Sequence, residues 1–236
     1  NPPAGERQIT YAEALREAHL TEVQDTHGNR VLITYANETK GIMCGLSALD
    51  YVRAMRPTRI EYIASGQPAA SVRVDLVYGQ LTNPPSNRSD IGVPGKDDLS
   101  TESFWSGYRL TSIIVRVRNG SAADAFATVR SYDLAQDYDW FDQNNNQGIL
   151  RLTSITEKGK NGGALPAWTF GYRIGAVGTQ STWKNHTLLE TANNGQGGSV
   201  VFTYANVSNI SMQGCGGSTS RYRVSQMEVS DGMGNV

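Results

Sequence analysis

Hydrophobic and polar positions alternate with a period of two through much of this chain. Val31, Ile33 and Tyr35 point one way and Leu32 and Thr34 the other. Val72, Val74, Leu76 and Tyr78 oppose Arg73, Asp75 and Val77, and Ile113, Val115 and Val117 oppose Ile114, Arg116 and Arg118. Period two with β-branched enrichment predicts strands. The strands are punctuated by residues that tolerate positive φ: Gly28-Asn29, Ser65-Gly66, Asn119-Gly120, Asn161-Gly-Gly163, Asn194-Gly195 and Gly197-Gly198. Such turns join neighbouring strands into antiparallel hairpins.

The hairpins repeat. A leucine-threonine strand leads through a turn to a returning strand that ends in tyrosine. Leu20-Thr-Glu-Val23 passes through Asp25-Thr-His-Gly-Asn29 to Val31-Leu-Ile-Thr-Tyr35. The phrase returns as Arg109-Leu-Thr-Ser-Ile113 to Tyr132, Arg151-Leu-Thr-Ser-Ile155 to Tyr172, and Leu188-Leu-Glu190 to Val201-Phe-Thr-Tyr204; Thr58-Arg-Ile-Glu-Tyr62 to Val74-Asp-Leu-Val-Tyr78 is a looser copy. A larger unit also recurs: Thr34-Tyr-Ala-Asn37, Met43-Cys-Gly45 and Tyr51-Val-Arg53 match Thr203-Tyr-Ala-Asn206, Met212-Gln-Gly-Cys-Gly216 and Tyr222-Arg-Val224. Self-similarity of this kind denotes one supersecondary unit stacked side by side. The expected fold is all-β: an antiparallel meander of tandem β-hairpins in a curved, partly rolled sheet. Asp231-Gly-Met-Gly-Asn235 mirrors the first turn, so a further strand is expected after it in a longer parent protein.

The pattern treats residues 1–236 as one repeat region. Residues 1–19 form an irregular or short helical lead-in, with Tyr11–Ala18 rich in helix formers, and Gly45–Tyr51 is compatible with one short turn. Residues 81–107, rich in proline, and 137–149 are expected as loop excursions.

Composition narrows the partners. The 236 residues carry 21 Lys+Arg against 22 Asp+Glu, a net charge of −1. That balance gives no electrostatic footprint for nucleic acid. No apolar run approaches the roughly 20 residues of a membrane span. No His-x-x-x-His, Cys-x-x-Cys or Gly-x-Ser-x-Gly spacing occurs, and the histidines His19, His27 and His186 are scattered; the patterns that would announce zinc or nucleophilic chemistry are missing.

Four features remain as candidate sites. Asp137, Asp139, Asp142, Asn144 and Asn146 offer alternating oxygens to calcium, although glycine arrives one place late for an EF-hand and no acid closes the loop. Trp105, Trp140 and Trp183, with Tyr108, Tyr138, Phe141 and Trp168, are aromatics that stack on sugars when exposed together. Cys44 and Cys215 occupy equivalent places in the larger repeat. At about 4.8 Å per strand in a flat sheet they would lie tens of ångströms apart, beyond the roughly 7 Å reach of a disulfide. Paired acids such as Asp97-Asp98 are the raw material of a hydrolase.

The hairpin Asp25-Thr-His-Gly-Asn29 to Tyr35, Pro57-Thr-Arg-Ile-Glu-Tyr62, Arg109-Leu-Thr-Ser-Ile113, Tyr132-Asp-Leu134, Leu150-Arg-Leu-Thr-Ser-Ile155 and the start at Arg223 to Asn235 together resemble the Rhs/YD-repeat superfamily. That superfamily includes the shell-forming subunits of bacterial insecticidal toxin complexes. The resemblance implies a non-enzymatic segment of a secreted or cell-surface bacterial protein, part of a β-shell around a C-terminal toxin or other polypeptide cargo. Its principal partner would be the remainder of its own polypeptide. The family's self-cleaving core has no counterpart here. The alternatives are a carbohydrate-binding β-module with a glycan ligand, and a hydrolase.

Overall fold

A computed structural model describes residues 19–44, 47–81, 87–88, 93–94, 106–122, 125–142, 147–175, 186–211 and 218–233. All regular structure in them is β. The strands are β1 (Glu22–Gln24), β2 (Arg30–Cys44), β3 (Ser47–Ile63), β4 (Val72–Gln80), β5 (Asn87–Arg88), β6 (Val93–Pro94), β7 (Tyr108–Arg118), β8 (Phe126–Asp142), β9 (Gln147–Gly159), β10 (Trp168–Gly175), β11 (His186–Asn193), β12 (Ser199–Ser211) and β13 (Ser218–Ser230). Their order in one 13-stranded sheet is β1-β2-β3-β4-β7-β8-β9-β10-β11-β12-β13, with β5 and β6 off this path. Along it the ladders among the described residues are antiparallel. The hairpin meander is the architecture of the chain. Among the described residues no helix is long and apolar enough to cross a membrane.

The single repeat region expected over 1–236 divides into two compact units, Asn1–Gln80 with Asp97–Val129, and Leu81–Lys96 with Arg130–Val236. In the first, β2 and β3 form the longest ladder, from Arg30↔Ile63 to Cys44↔Ser47. In the second, β8 to β13 follow one another, and β5 adds a parallel bridge to β9 through Asn87↔Gln147 and Arg88↔Gly148.

Two expectations are corrected. Ser47–Tyr51 belongs to β3 and is not a turn, because Cys44↔Ser47 through Lys40↔Tyr51 extend the ladder to its end. Asp137–Asp142 is not a loop excursion: it continues β8 and pairs with β9, Asp137 opposite Arg151 and Asp139 opposite Ile149. Polarity there does not break the pairing. The helical reading of Tyr11–Ala18 lies outside the described residues, as does most of 81–107.

The hairpin turns share one design. In Asp25–Asn29, Gly159–Gly163 and Asn194–Gly198 the first residue's N–H donates to the fifth residue's carbonyl at 3.0, 2.9 and 3.0 Å. The fourth residue is glycine with φ of 84° at Gly28, 78° at Gly162 and 97° at Gly197, where a Cβ would be strained. Asp25 Oδ1 accepts from the amides of His27 and Asn29, both at 2.9 Å. Asn194 Oδ1 repeats this with Gln196 at 2.8 Å and Gly198 at 2.9 Å. The carbonyl-bearing side chain thus closes the turn from within.

The core is thin. Among the described apolar residues only Tyr51, Ile63, Ala70 and Leu81 are buried, whereas Glu38 and Arg73 are buried polar groups. Most strand positions are half-buried. Packing therefore falls to long amphipathic side chains that cover aromatic rings while keeping a charged head in water.

Candidate functional site

The repeated phrase proves to be a device at one place in each long ladder. The register shifts between Thr34 and Tyr35, between Val77 and Tyr78, between Gly171 and Tyr172, and between Thr203 and Tyr204. A fifth shift of this kind falls between Ala135 and Gln136, where glutamine stands in the tyrosine position, and three further shifts, at Glu38/Thr39, Trp140/Asp142 and Val207/Ile210, lie outside the repeated phrase. On the facing strand one residue is left without a partner in the register: Thr58, Thr111, Thr153, Glu190 or Ser225. These are β-bulges, which bend the strand and raise its twist locally.

The hydroxyl of the bulged residue satisfies the carbonyl that the bulge leaves over. Thr58 Oγ1 donates to Thr34 O at 3.3 Å, Thr111 Oγ1 to Val77 O at 3.2 Å, and Ser225 Oγ to Thr203 O at 3.0 Å. The residue before it pairs with the tyrosine, as in Tyr78↔Leu110 and Tyr172↔Leu189. Leu-Thr-Ser is thus a pairing residue, a bulge with a hydroxyl, and a residue that resumes the register.

The tyrosines then link one bulge to the next. Tyr172 Oη donates to Leu152 O at 2.7 Å and Tyr204 Oη to Leu189 O at 2.8 Å. Leu152 and Leu189 are themselves the residues paired at the preceding bulges, with Gln136 and Tyr172. Tyr35 Oη donates in the same sense to Leu20 O at 3.0 Å. Arginines cap the rings: Arg56 lies 5.5 Å from the Tyr78 centroid, Arg151 5.6 Å from Tyr172 and Arg173 5.4 Å from Tyr204. Burial of the Tyr172 and Tyr78 rings raises their hydroxyl pKa above the ordinary value, with Arg151 and Arg56 opposing it.

Two carboxylates are held inside the first unit. Glu38 accepts from Arg53 Nε at 2.6 Å, Ser106 Oγ at 2.9 Å and Gly107 N at 2.8 Å, with Arg53 Nη2 in contact and Arg56 Nη1 at 3.4 Å. A Cβ on Gly107 would meet Arg53 Nη2 at 2.7 Å and Glu38 Oε1 at 3.0 Å, so a larger residue there would have to displace the ends of these two side chains. Asp75 lies among Arg59, Arg73 and Arg116. Glu38 is saturated by donors, an arrangement that fixes strands rather than one poised to move a proton.

Of the residues expected to carry chemistry, Asp137, Asp139, Asp142, Trp140 and Cys44 lie among the described residues. Among the described residues no three His, Cys, Asp or Glu side chains form a metal-binding group. Asp137 is exposed and its Oδ1 accepts from Tyr138 N at 2.7 Å. Asp139 and Asp142 follow in the same strand; Asn144 and Asn146 lie outside the described residues. Trp140 is in β8, while Trp105 and Trp183 lie outside the described residues. Cys44 ends β2, and Cys215 lies outside them. His27 is exposed in its turn, and the His19 ring sits 5.1 Å from that of Tyr35.

Trp168, named in sequence only as one aromatic among several, is 54% exposed. It borders a shallow cleft of about 50 Å³ lined by Tyr132, Leu165, Pro166 and Gln196, with Glu157 at its rim. Glu157 is paired with Arg130 at 3.1 Å.

In comparisons with known proteins, no family model matches this chain and no curated protein matches it.

Proposed function

We propose that this chain is a non-enzymatic wall segment of a secreted or cell-surface Rhs/YD-like protein, contributing to a β-shell that encloses or displays a polypeptide cargo. The observation that carries this reading is the linked series of bulges. Five ladders carry the same kink, and Tyr172 and Tyr204 each tie their kink to the one before. A repeated local bend is how a sheet is curved on purpose.

The test is protease protection in the full-length protein that bears this segment. Its downstream polypeptide is expected to resist a protease that digests the same polypeptide expressed alone. Equal digestion in both would overturn the reading.

A second reading, a carbohydrate-binding module, is favoured by one observation. The exposed Trp168 indole adjoins the Gln196 amide and the Glu157 carboxylate, an apolar platform beside polar groups that match a sugar ring.

A further inference from the structure

Asparagine is followed by glycine three times in this chain, at Asn119-Gly120, Asn161-Gly162 and Asn194-Gly195. All six residues are exposed, so access to water does not distinguish the pairs. Glycine has no Cβ to shield its amide nitrogen or to restrict the main chain around it. Such a nitrogen is able to attack the carboxamide of the asparagine before it. The hydrogen bonds at each pair decide where that attack is open.

Two of the pairs are tied. Gly162 N–H donates to Gly159 O at 3.0 Å inside the closed turn Gly159–Gly163. Asn194 Oδ1 accepts from Gln196 N at 2.8 Å and from Gly198 N at 2.9 Å, which fixes its carboxamide in the turn. Reaction at either pair has to break these bonds first, and each lost bond adds to the barrier.

Asn119-Gly120 differs. The chain around it is fastened: Asn119 N–H donates to Ala125 O at 2.9 Å, Ala125 N–H to Ala122 O at 3.1 Å, and Arg118 Nη1 to Ala122 O at 3.0 Å. Between these fixed points, neither the Asn119 carboxamide nor the Gly120 N–H has a partner among the described residues. Electrophile and nucleophile adjoin in an exposed loop that engages neither.

We propose that Asn119 is a self-modification site, deamidated through a cyclic imide with water as the only co-reactant. The Gly120 nitrogen gives its proton to solvent and attacks Asn119 Cγ. The N–Cγ bond forms, the Cγ–Nδ2 bond breaks, and the amide leaves as ammonia after taking up a proton. Water then opens the succinimide: attack at the side-chain carbonyl leaves aspartate, and attack at the main-chain carbonyl leaves isoaspartate. The first product sets a carboxylate next to Arg118 in the chain. The second lengthens the main chain inside the β7–β8 connection, which Asn119 N–H closes onto Ala125 O.

The test ages the folded 236-residue chain in warm, mildly alkaline buffer and follows tryptic peptides by mass spectrometry, with freshly purified chain digested alongside as the baseline. The peptide between Arg118 and Arg130 contains Asn119 as its only amide side chain, so a gain of the amide-to-acid mass difference there reports this residue alone. Conversion of Asn119 is expected to be at least tenfold faster than that of Asn161 and Asn194. Ageing in urea removes the hydrogen bonds, and the three sites are then expected to convert at comparable rates. An Asn119 that converts no faster than the other two in the folded chain would overturn the proposal. The same ranking retained in urea would also overturn it, since the fold would then play no part.

Discussion

The hydroxyl of Tyr204 donates to the backbone carbonyl of Leu189 at 2.8 Å, and Leu189 is the residue paired with Tyr172 at the bulge before. One hydrogen bond thus fixes the position of a bulge in the β12–β13 ladder relative to a bulge in the β10–β11 ladder. A strand that slipped by one residue would turn its side chains to the wrong face, so a bond that reports register has consequences well beyond its own strength.

Replacing Tyr204 by Phe keeps the ring under Arg173 and removes only the donor. It is expected to cost about 1 kcal/mol, the usual net value of one such bond, read by urea denaturation. Tyr172→Phe is expected to cost a similar amount. A neutral result for both would show that the tyrosine bonds are incidental.

Thr111→Val preserves shape and deletes the hydroxyl that serves Val77 O at 3.2 Å. A loss of about 0.5–1.5 kcal/mol is expected. Thr156, paired with Asp133 in unbroken register, is the control, and Thr156→Val is expected to change little. Equal effects at the two sites would remove the special role of the bulged residue.

Glu38 is the most committed carboxylate of the first unit, its side chain 6% exposed. Glu38→Ala removes the acceptor that Arg53, Ser106 and Gly107 share and is expected to destabilise by about 3–5 kcal/mol. Glu38→Gln keeps an acceptor for Gly107 N and Ser106 Oγ and is expected to cost less. Indifference to Glu38→Ala would contradict the structural role given to this group.

Alkaline titration reads the clasps through their phenols. Burial raises the folded values of Tyr78 and Tyr172. Above the ordinary value of about 10 the unfolded chain loses these protons first, so the unfolded state binds fewer protons and stability falls as pH rises. Their contribution is present below about pH 10 and lost through the raised values. Phenolate absorbance is expected to show a late-titrating fraction of the 11 tyrosines that shrinks in Tyr172→Phe. A single transition at the ordinary value would contradict this.

Glycan-array screening separates the wall from the carbohydrate module. The wall reading expects no ligand whose binding depends on Trp168. A glycan captured by the wild type and lost in Trp168→Ala would transfer the assignment to the module.

Strand, turn and repeat were legible because each is local: Val31 to Tyr35 alternates, and Asp25 to Asn29 carries its own turn chemistry. Leu-Thr-Ser and the closing tyrosine were visible as a repeat, but not as bulges. A bulge is a mismatch in count between two strands, and Thr111 shows its role only once Val77 is known to lie across from Ser112. Asp137 to Asp142 misled for a related reason, since a run of polar residues at a strand end looks like a loop. The clusters around Glu38 and Asp75 were hidden because their members, such as Glu38 and Gly107, come from distant stretches of chain. Arginine in an alternating strand reads as solvent-facing until the aromatic ring it covers is in place.

The central claim is that the repeated clasp holds neighbouring hairpins in register. Hydrogen exchange of Tyr204→Phe/Ser225→Ala tests it most directly, because this pair removes both bonds of one clasp. Faster amide exchange is expected along β11, β12 and β13, with β2 and β3 unchanged. Exchange unaltered in β11 to β13, or raised equally in β2 and β3, would contradict the account.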